Sequence, residues 1–496
     1  MRRRDFLKYG SCGLFAYALG GLGGLSAWSR PGEALAADHG TDHGTGLIDL
    51  TMQEVDVEMV DRTVVYMWAF SSPGAGPRIP GPVILAQEGQ IIRLRLQNAI
   101  DRGGEHGLAV PGVFDSGPVA FGQSADVEFT APATGVYFYL DPFNAPVNRV
   151  MGLHGVLIVM PSPVGTNTPY SSPTPNVQRI FNDLGSPGWS PGLGSAHFPG
   201  HPWDSDRTWV WVFSSVDPDK NDAMNPDSSG SLSFMPAAQF EENYLPRYFT
   251  LNGKSGFFAA GHSPTHEEHA HQGLAEIDLQ RDIAPIGNVG QPALIRALNA
   301  GMATHSLHPH GNHFYLLAEN GIVRDNVWWL DTWSLPPLGR KDLLLPFMQP
   351  PEIPPAAWPP VDELFPFQYT MHCHAEMSQT AAGGNYPQGN VTHWQMDGPI
   401  DPTDAVILVD RADIRTRTGT IEIEGRSSTP GISLDIHPGV GTEPAVAEFL
   451  VGIDGRWSFR GRSARFLASR LATIMFHDPG PPEVLRAART VPLRLR

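Results

Sequence analysis

Gly89-Gln90-Ile91-Ile92-Arg93-Leu94-Arg95-Leu96-Gln97-Asn98 alternates apolar and basic side chains, the pattern of a strand with one face on a core and one in water. The frame returns 201 residues later as Gly290-Gln291-Pro292-Ala293-Leu294-Ile295-Arg296-Ala297-Leu298-Asn299, again with Gly-Gln at the start and Asn at the end. A repeat at this distance implies two copies of one β-sandwich. Each copy runs on to a histidine-bearing stretch, His106-Gly107-Leu108 in the first and His305 to His313 in the second. Each then reaches an aromatic strand, Tyr137-Phe138-Tyr139-Leu140-Asp141-Pro142 and Tyr369-Thr370-Met371-His372-Cys373-His374. There the offset has grown to 232 residues. The second copy is therefore expected to hold an insertion that includes Pro350-Pro351-Glu352-Ile353-Pro354-Pro355, which no central strand tolerates.

Composition agrees with an all-β chain. Of 496 residues, 53 are glycine and 47 proline, about a fifth of the total, while charged residues make up only 17%. The formal charge is −17, and setting aside residues 1–36, which are net basic, makes the remainder more acidic still. Such a surface repels nucleic acid, which is excluded as a partner. Two cysteines occur, Cys12 and Cys373. If the first is removed with the N-terminus, the mature chain has a single thiol and no internal disulfide.

The N-terminus reads as an address. Arg3-Arg4-Asp5-Phe6-Leu7-Lys8 precedes a glycine-diluted apolar run from Tyr9 to Trp28 and then Ala34-Leu35-Ala36. That order of basic region, apolar region and small-residue cleavage site resembles a twin-arginine signal, which implies export of the folded protein to the periplasm or beyond. The expected divisions are a signal at 1–36, a linker with His39 and His43 at 37–50, a first sandwich at 51–165, and a Pro/Gly/Ser-rich connection at 166–204. A second sandwich follows at 205–400, opening with Thr208-Trp209-Val210-Trp211-Val212-Phe213, and a small β module at 401–496.

The chemistry concentrates in His305-Ser306-Leu307-His308-Pro309-His310-Gly311-Asn312-His313 and His372-Cys373-His374. Successive side chains on a strand point to opposite faces, so His372 and His374 share a face and Cys373 points the other way. One strand then serves two metal sites, joined by the peptide links on either side of the cysteine. A soft thiolate with imidazoles selects copper or zinc. His262, His266, His269 and His271, among Pro264, Glu267 and Glu268, read as a solvated loop, and Trp328, Trp329 and Trp333 as core.

These motifs resemble the multicopper oxidases of the cupredoxin superfamily over roughly residues 50–400. The resemblance implies two cupredoxin-like Greek-key β-sandwich domains with the small C-terminal β module appended. It implies copper as cofactor, with His305 and Cys373 as ligands of a type 1 site and His308, His310, His372 and His374 as ligands of a copper cluster. Gly104-Glu105-His106-Gly107-Leu108 adds His106 as a cluster ligand from the first domain. The implied activity is one-electron oxidation of a phenolic or metal-ion donor coupled to oxygen, in a possible homo-oligomer. The alternative is a copper-binding or electron-transfer protein without catalysis. It follows from departures from the family pattern: Leu140-Asp141-Pro142 stands where a histidine pair is expected, and Ser378 and Gly383 stand where a second type 1 histidine and an axial methionine are expected. Met377 and His393 are the candidate substitutes, and fewer than four coppers per chain are expected.

Overall fold

The computed structural model describes residues 35–36, 47–73, 76–161, 167–184, 203–205, 207–260, 283–288, 290–347, 366–396, 407–427, 431–439, 444–452, 455–478 and 484–495. The expected signal apart from Leu35–Ala36, the linker histidines, residues 185–202 of the connection, the stretch from His262 to His271 and the prolines at 350–360 lie outside the described residues.

The protein is all-β; among the described residues six short α-helical or 3-10 turns and one ten-residue helix, Pro175–Leu184, accompany the sheets. In the first sandwich, sheet 1 has the strand order Gly76–Arg78, Val64–Ser72, Leu47–Glu58, Ile91–Asn98, Ser124–Thr130. Sheet 2 is built around Ile84–Gln87, His154–Met160 and Gly135–Leu140. In the second sandwich, sheet 3 centres on Thr208–Val216, Ala293–Asn299, Arg340–Leu345 and Phe314–Glu319. Sheet 4 runs Ile286–Gly287, Val391–Met396, Phe367–Cys373, His305–Pro309, Trp333–Leu335.

The repeat has a physical basis. Ile91–Asn98 lies parallel to Leu47–Glu58 in sheet 1, and Ala293–Asn299 lies parallel to Thr208–Val216 in sheet 3. Gln90 Oε1 accepts from the Gln87 amide at 2.8 Å, and Gln291 Oε1 accepts from the Asn288 amide at 2.9 Å. Asn98 Oδ1 takes the amide of Ile100, and Asn299 Oδ1 takes that of Gly301, each at 2.9 Å. Both copies thus use Gln to close the turn into the strand and Asn to close the turn out of it. Gly89 and Gly290, at φ 78° and 79°, supply the left-handed step ahead of each.

The two sandwiches stack, so that sheets 2 and 3 face each other. Leu50, Trp68, Leu94 and Leu157 fill the core between sheets 1 and 2. Val156, Ile158, Val210, Val212, Leu294 and Leu344 fill the seam between sheets 2 and 3, with Tyr170, Phe181 and Trp203 from the connection added to it. Trp211, Ile295, Leu307 and Trp394 fill the core between sheets 3 and 4. This layering explains why the two repeat strands differ in exposure. Ile91–Asn98 is on the outside and alternates exposed and buried, with Arg93 and Arg95 paired in water to Glu128 and Asp126. Ala293–Asn299 is covered on both faces and buried throughout, and its Arg296 is neutralised by Asp342, which also accepts from Tyr170 Oη at 2.7 Å.

The C-terminal residues form a third, smaller sandwich of two four-stranded sheets around Ile421, Ile423, Leu434, Ile436 and Ile474. The stretch from Phe466 to Met475 is shared between the helix Ala464–Ser469 and the strand Leu471–Asp478.

Candidate metal centre

Strands His305–Pro309 and Phe367–Cys373 are antiparallel neighbours, with Leu307 opposite Cys373 and His308 opposite His372. This register gathers the candidate ligands on two faces of one sheet, as the alternation of the sequence requires.

On the inner face, Cys373 is a free, buried thiol whose Sγ lies 3.5 Å from His305 Nδ1. The Ser306 amide donates to Sγ at 3.1 Å. Asn390 Nδ2 sits 3.3 Å from the same Nδ1 and, being a donor, turns the imidazole lone pair toward itself and the sulfur. Burial pushes His305 down to about 4, so the ring is neutral and its lone pair is free of a proton. Phe213 lies over that ring at 5.0 Å. Leu307, Phe314 and Met371 line the apolar space beside the sulfur. Met371 shares the Cys373 face, two residues before it, and is the nearest soft donor that alternation supplies.

On the outer face, His308, His310 and His372 place ring nitrogens within 4.8 Å of one another, and the His374 ring stands 4.6 Å from that of His308. His308 Nδ1 faces the Asp331 carbonyl at 3.2 Å and Thr332 Oγ1 at 3.1 Å, and His372 Nδ1 faces the Cys373 carbonyl at 3.2 Å. Carbonyls only accept, so both rings are held as the Nδ1–H tautomer with Nε2 bare, the usual orientation of a metal-binding histidine. His310 Nε2 and His372 Nε2 are 3.0 Å apart, a separation that requires a proton or a cation between them. Burial first, then neighbouring imidazoles, lower His308 and His372, which keeps both neutral.

His106 stands apart from both faces. It is fully buried in the first sandwich, with Nδ1 2.7 Å from Asp141 Oδ2 and Nε2 2.6 Å from the Arg102 carbonyl, so both ring nitrogens are already engaged. Asp141 takes the place there that Cys373 takes in the second sandwich: its amide donates to the Leu153 carbonyl as that of Cys373 donates to the Asn390 carbonyl. The first copy thus closes its own pocket with an imidazole–carboxylate pair. Ser378 is buried and spends its hydroxyl on the Ala375 carbonyl, while Met377 is 56% exposed. Asn390 and the Asp331–Thr332 turn escaped the sequence reading because nothing in their own sequence neighbourhood marks them, whereas alternation back from Cys373 is the signal that could have found Met371. Of the tryptophans, Trp333 is buried but Trp328 is 49% exposed and stacks on it.

No protein-family model matches the sequence. Among solved structures the chain is similar to a blue copper oxidase from Nitrosomonas europaea at 17% identity and TM-score 0.47, over 71% of this chain and 85% of that one. It is similar to the multicopper oxidase mgLAC at 20% identity and TM-score 0.46, over 72% and 87%. It is also similar to a copper nitrite reductase from Nitrosomonas europaea at 17% identity and TM-score 0.44, over 71% and 93%.

Proposed function

We propose that this chain is an exported copper-dependent oxidoreductase that takes electrons one at a time from a small-molecule or metal-ion donor and passes them toward oxygen. The observation that carries the reading is the strand Phe367–Cys373, which presents a thiol beside neutral His305 on one face and His372, beside His308 and His310, on the other. The donor sets fit the metal: thiolate with imidazole suits a soft, redox-active ion, and the histidine face suits cupric ion. Copper bound there supplies a one-electron couple. The protein's own part is to hold the imidazoles neutral, to orient them through backbone carbonyls, and to keep the Cys373 sulfur dry.

The closed His106–Asp141 pair favours a reduced metal complement, one ion on each face of the strand, and with it electron transfer over rapid four-electron reduction of oxygen. Copper loading tests the reading. The loaded protein should show a thiolate-to-copper charge-transfer band that Cys373→Ser abolishes with the fold intact. A spectrum unchanged by that substitution removes the assignment. Export by the twin-arginine route to the periplasm or outside belongs to the same proposal. Replacing Arg3 and Arg4 by Lys should leave unprocessed precursor in the cytoplasm, and normal processing would refute it.

A further inference from the structure

The inner face of the strand Phe367–Cys373 offers one thiol and one imidazole, and Ser378 stands where the resemblance calls for a second histidine. The chain that returns past Ser378 brings another side chain to the place. The Asn390 amide donates to the Ser378 carbonyl at 2.7 Å, and the Gly389 amide donates to the Gln379 carbonyl at 2.9 Å. Only glycine permits this approach, because a Cβ at 389 would run into the Ser378 carbonyl oxygen. On its other side the Asn390 carbonyl accepts from the Cys373 amide at 3.1 Å. Backbone hydrogen bonds thus seat Asn390 between the serine and the cysteine.

Its side chain is 2% exposed. Nδ2 stands 3.3 Å from His305 Nδ1, the same nitrogen that faces Cys373 Sγ at 3.5 Å. Oδ1 is buried with no hydrogen-bond partner, a costly state for a carbonyl oxygen. The other polar groups lining the space are committed elsewhere. Trp211 Nε1 donates to the Ile283 carbonyl and Thr392 Oγ1 to the Ala259 carbonyl, both at 2.8 Å, while His308 and His372 serve the outer face. Leu307 and Phe314 supply no donor atom.

We propose that Asn390 Oδ1 is the third strong ligand of the inner-face ion, in the position left by the missing histidine, and that the amide turns over when the ion binds. The proposal rests on the copper reading above. A cation on His305 Nδ1 takes the lone pair to which Nδ2 donates, and leaves an N–H facing positive charge. Rotation about the Cβ–Cγ bond exchanges Nδ2 for Oδ1, an atom of nearly the same size, so the neighbours keep their places. Oδ1 gives up no hydrogen bond in the turn. A neutral amide oxygen is a donor that copper–thiolate sites accept.

The test compares wild type with Asn390→Asp, which can accept but not donate, and Asn390→Leu, which can do neither. Cupric ion is titrated against a competing chelator and followed at the thiolate charge-transfer band, which reports the inner face alone. Asn390→Asp should hold the ion at least as tightly as wild type, and Asn390→Leu about tenfold more weakly or worse. In protein loaded with ¹¹³Cd²⁺, the resonance absent from Cys373→Ser marks the inner face, and it should move in Asn390→Leu. If Asn390 only orients the His305 ring, Asp weakens binding as much as Leu does and the cadmium resonance keeps its place. Either result overturns the proposal, as does unchanged affinity in Asn390→Leu. Should Asn390→Asp fail to fold, the cadmium resonance of Asn390→Leu decides alone. No thiolate band in wild type would overturn the copper reading and the proposal with it, whereas a normal band indifferent to both variants overturns the proposal and leaves that reading standing.

Discussion

His308 owes its readiness for metal to the turn behind it. The Asp331 carbonyl and the Thr332 hydroxyl fix Nδ1, and the neutral ring then points Nε2 at the other histidines. His308→Ala should therefore cost the protein about one copper per chain while the absorption of the Cys373 site persists, as metal analysis beside a spectrum would show. Loss of both together would mean that the two faces hold one centre. His106 makes the converse case. Asp141→Ala leaves its buried Nδ1 only the long 3.5 Å contact to Asn148 Nδ2 and should cost about 1–3 kcal/mol in urea unfolding, with copper content unchanged. A fall in copper content in that variant would make His106 a ligand after all.

At the scale of the element, the repeat strands explain what the sequence could disclose. Gln90 and Gln291, Asn98 and Asn299 recur because each performs the same local hydrogen bond within three residues of itself, so the role is written where it is played. Alternation likewise placed Cys373 opposite His372 and His374 before any fold was at hand. What stayed hidden depends on contacts between distant segments. Arg296 looks like the solvent-facing Arg93 and Arg95 until sheet 2 covers it, and Asn390 reaches His305 across 85 residues. Ser214 meets His154 across 60, and only the stacking of the sandwiches creates that pair. Asn299→Ala tests the element directly. Its amide group also donates to the Ala303 and Leu335 carbonyls, at 2.7 and 2.9 Å, so the substitution should cost about 1–3 kcal/mol, measured as a fall in the urea midpoint. A loss within about 0.5 kcal/mol, ordinary for a surface position, would deny these turns their part in holding the frame.

For the whole molecule, four stacked sheets leave three imidazoles deep inside, and burial of two of them, His154 and His305, couples stability to pH. His154 is pushed from an ordinary 6.5 down to about 4, so between those values the unfolded chain takes up a proton that the folded chain refuses. Stability of the copper-free protein should then fall as pH drops through that window, by roughly 3 kcal/mol from His154 alone. Denaturant midpoints at pH 7 and pH 4 should show this fall, and it should be smaller in His154→Phe. An equal fall in both proteins would mean that His154 is not held neutral. The same stacking sets the two metal faces on a single strand, with the first sandwich closed by His106 and Asp141. Copper analysis of the fully loaded protein, run beside oxygen uptake with a phenolic donor, bears on that arrangement most directly. Two coppers per chain, one of them lost in Cys373→Ser, with slow oxygen consumption, is the expected result; about four per chain with brisk consumption, or none retained, would contradict it.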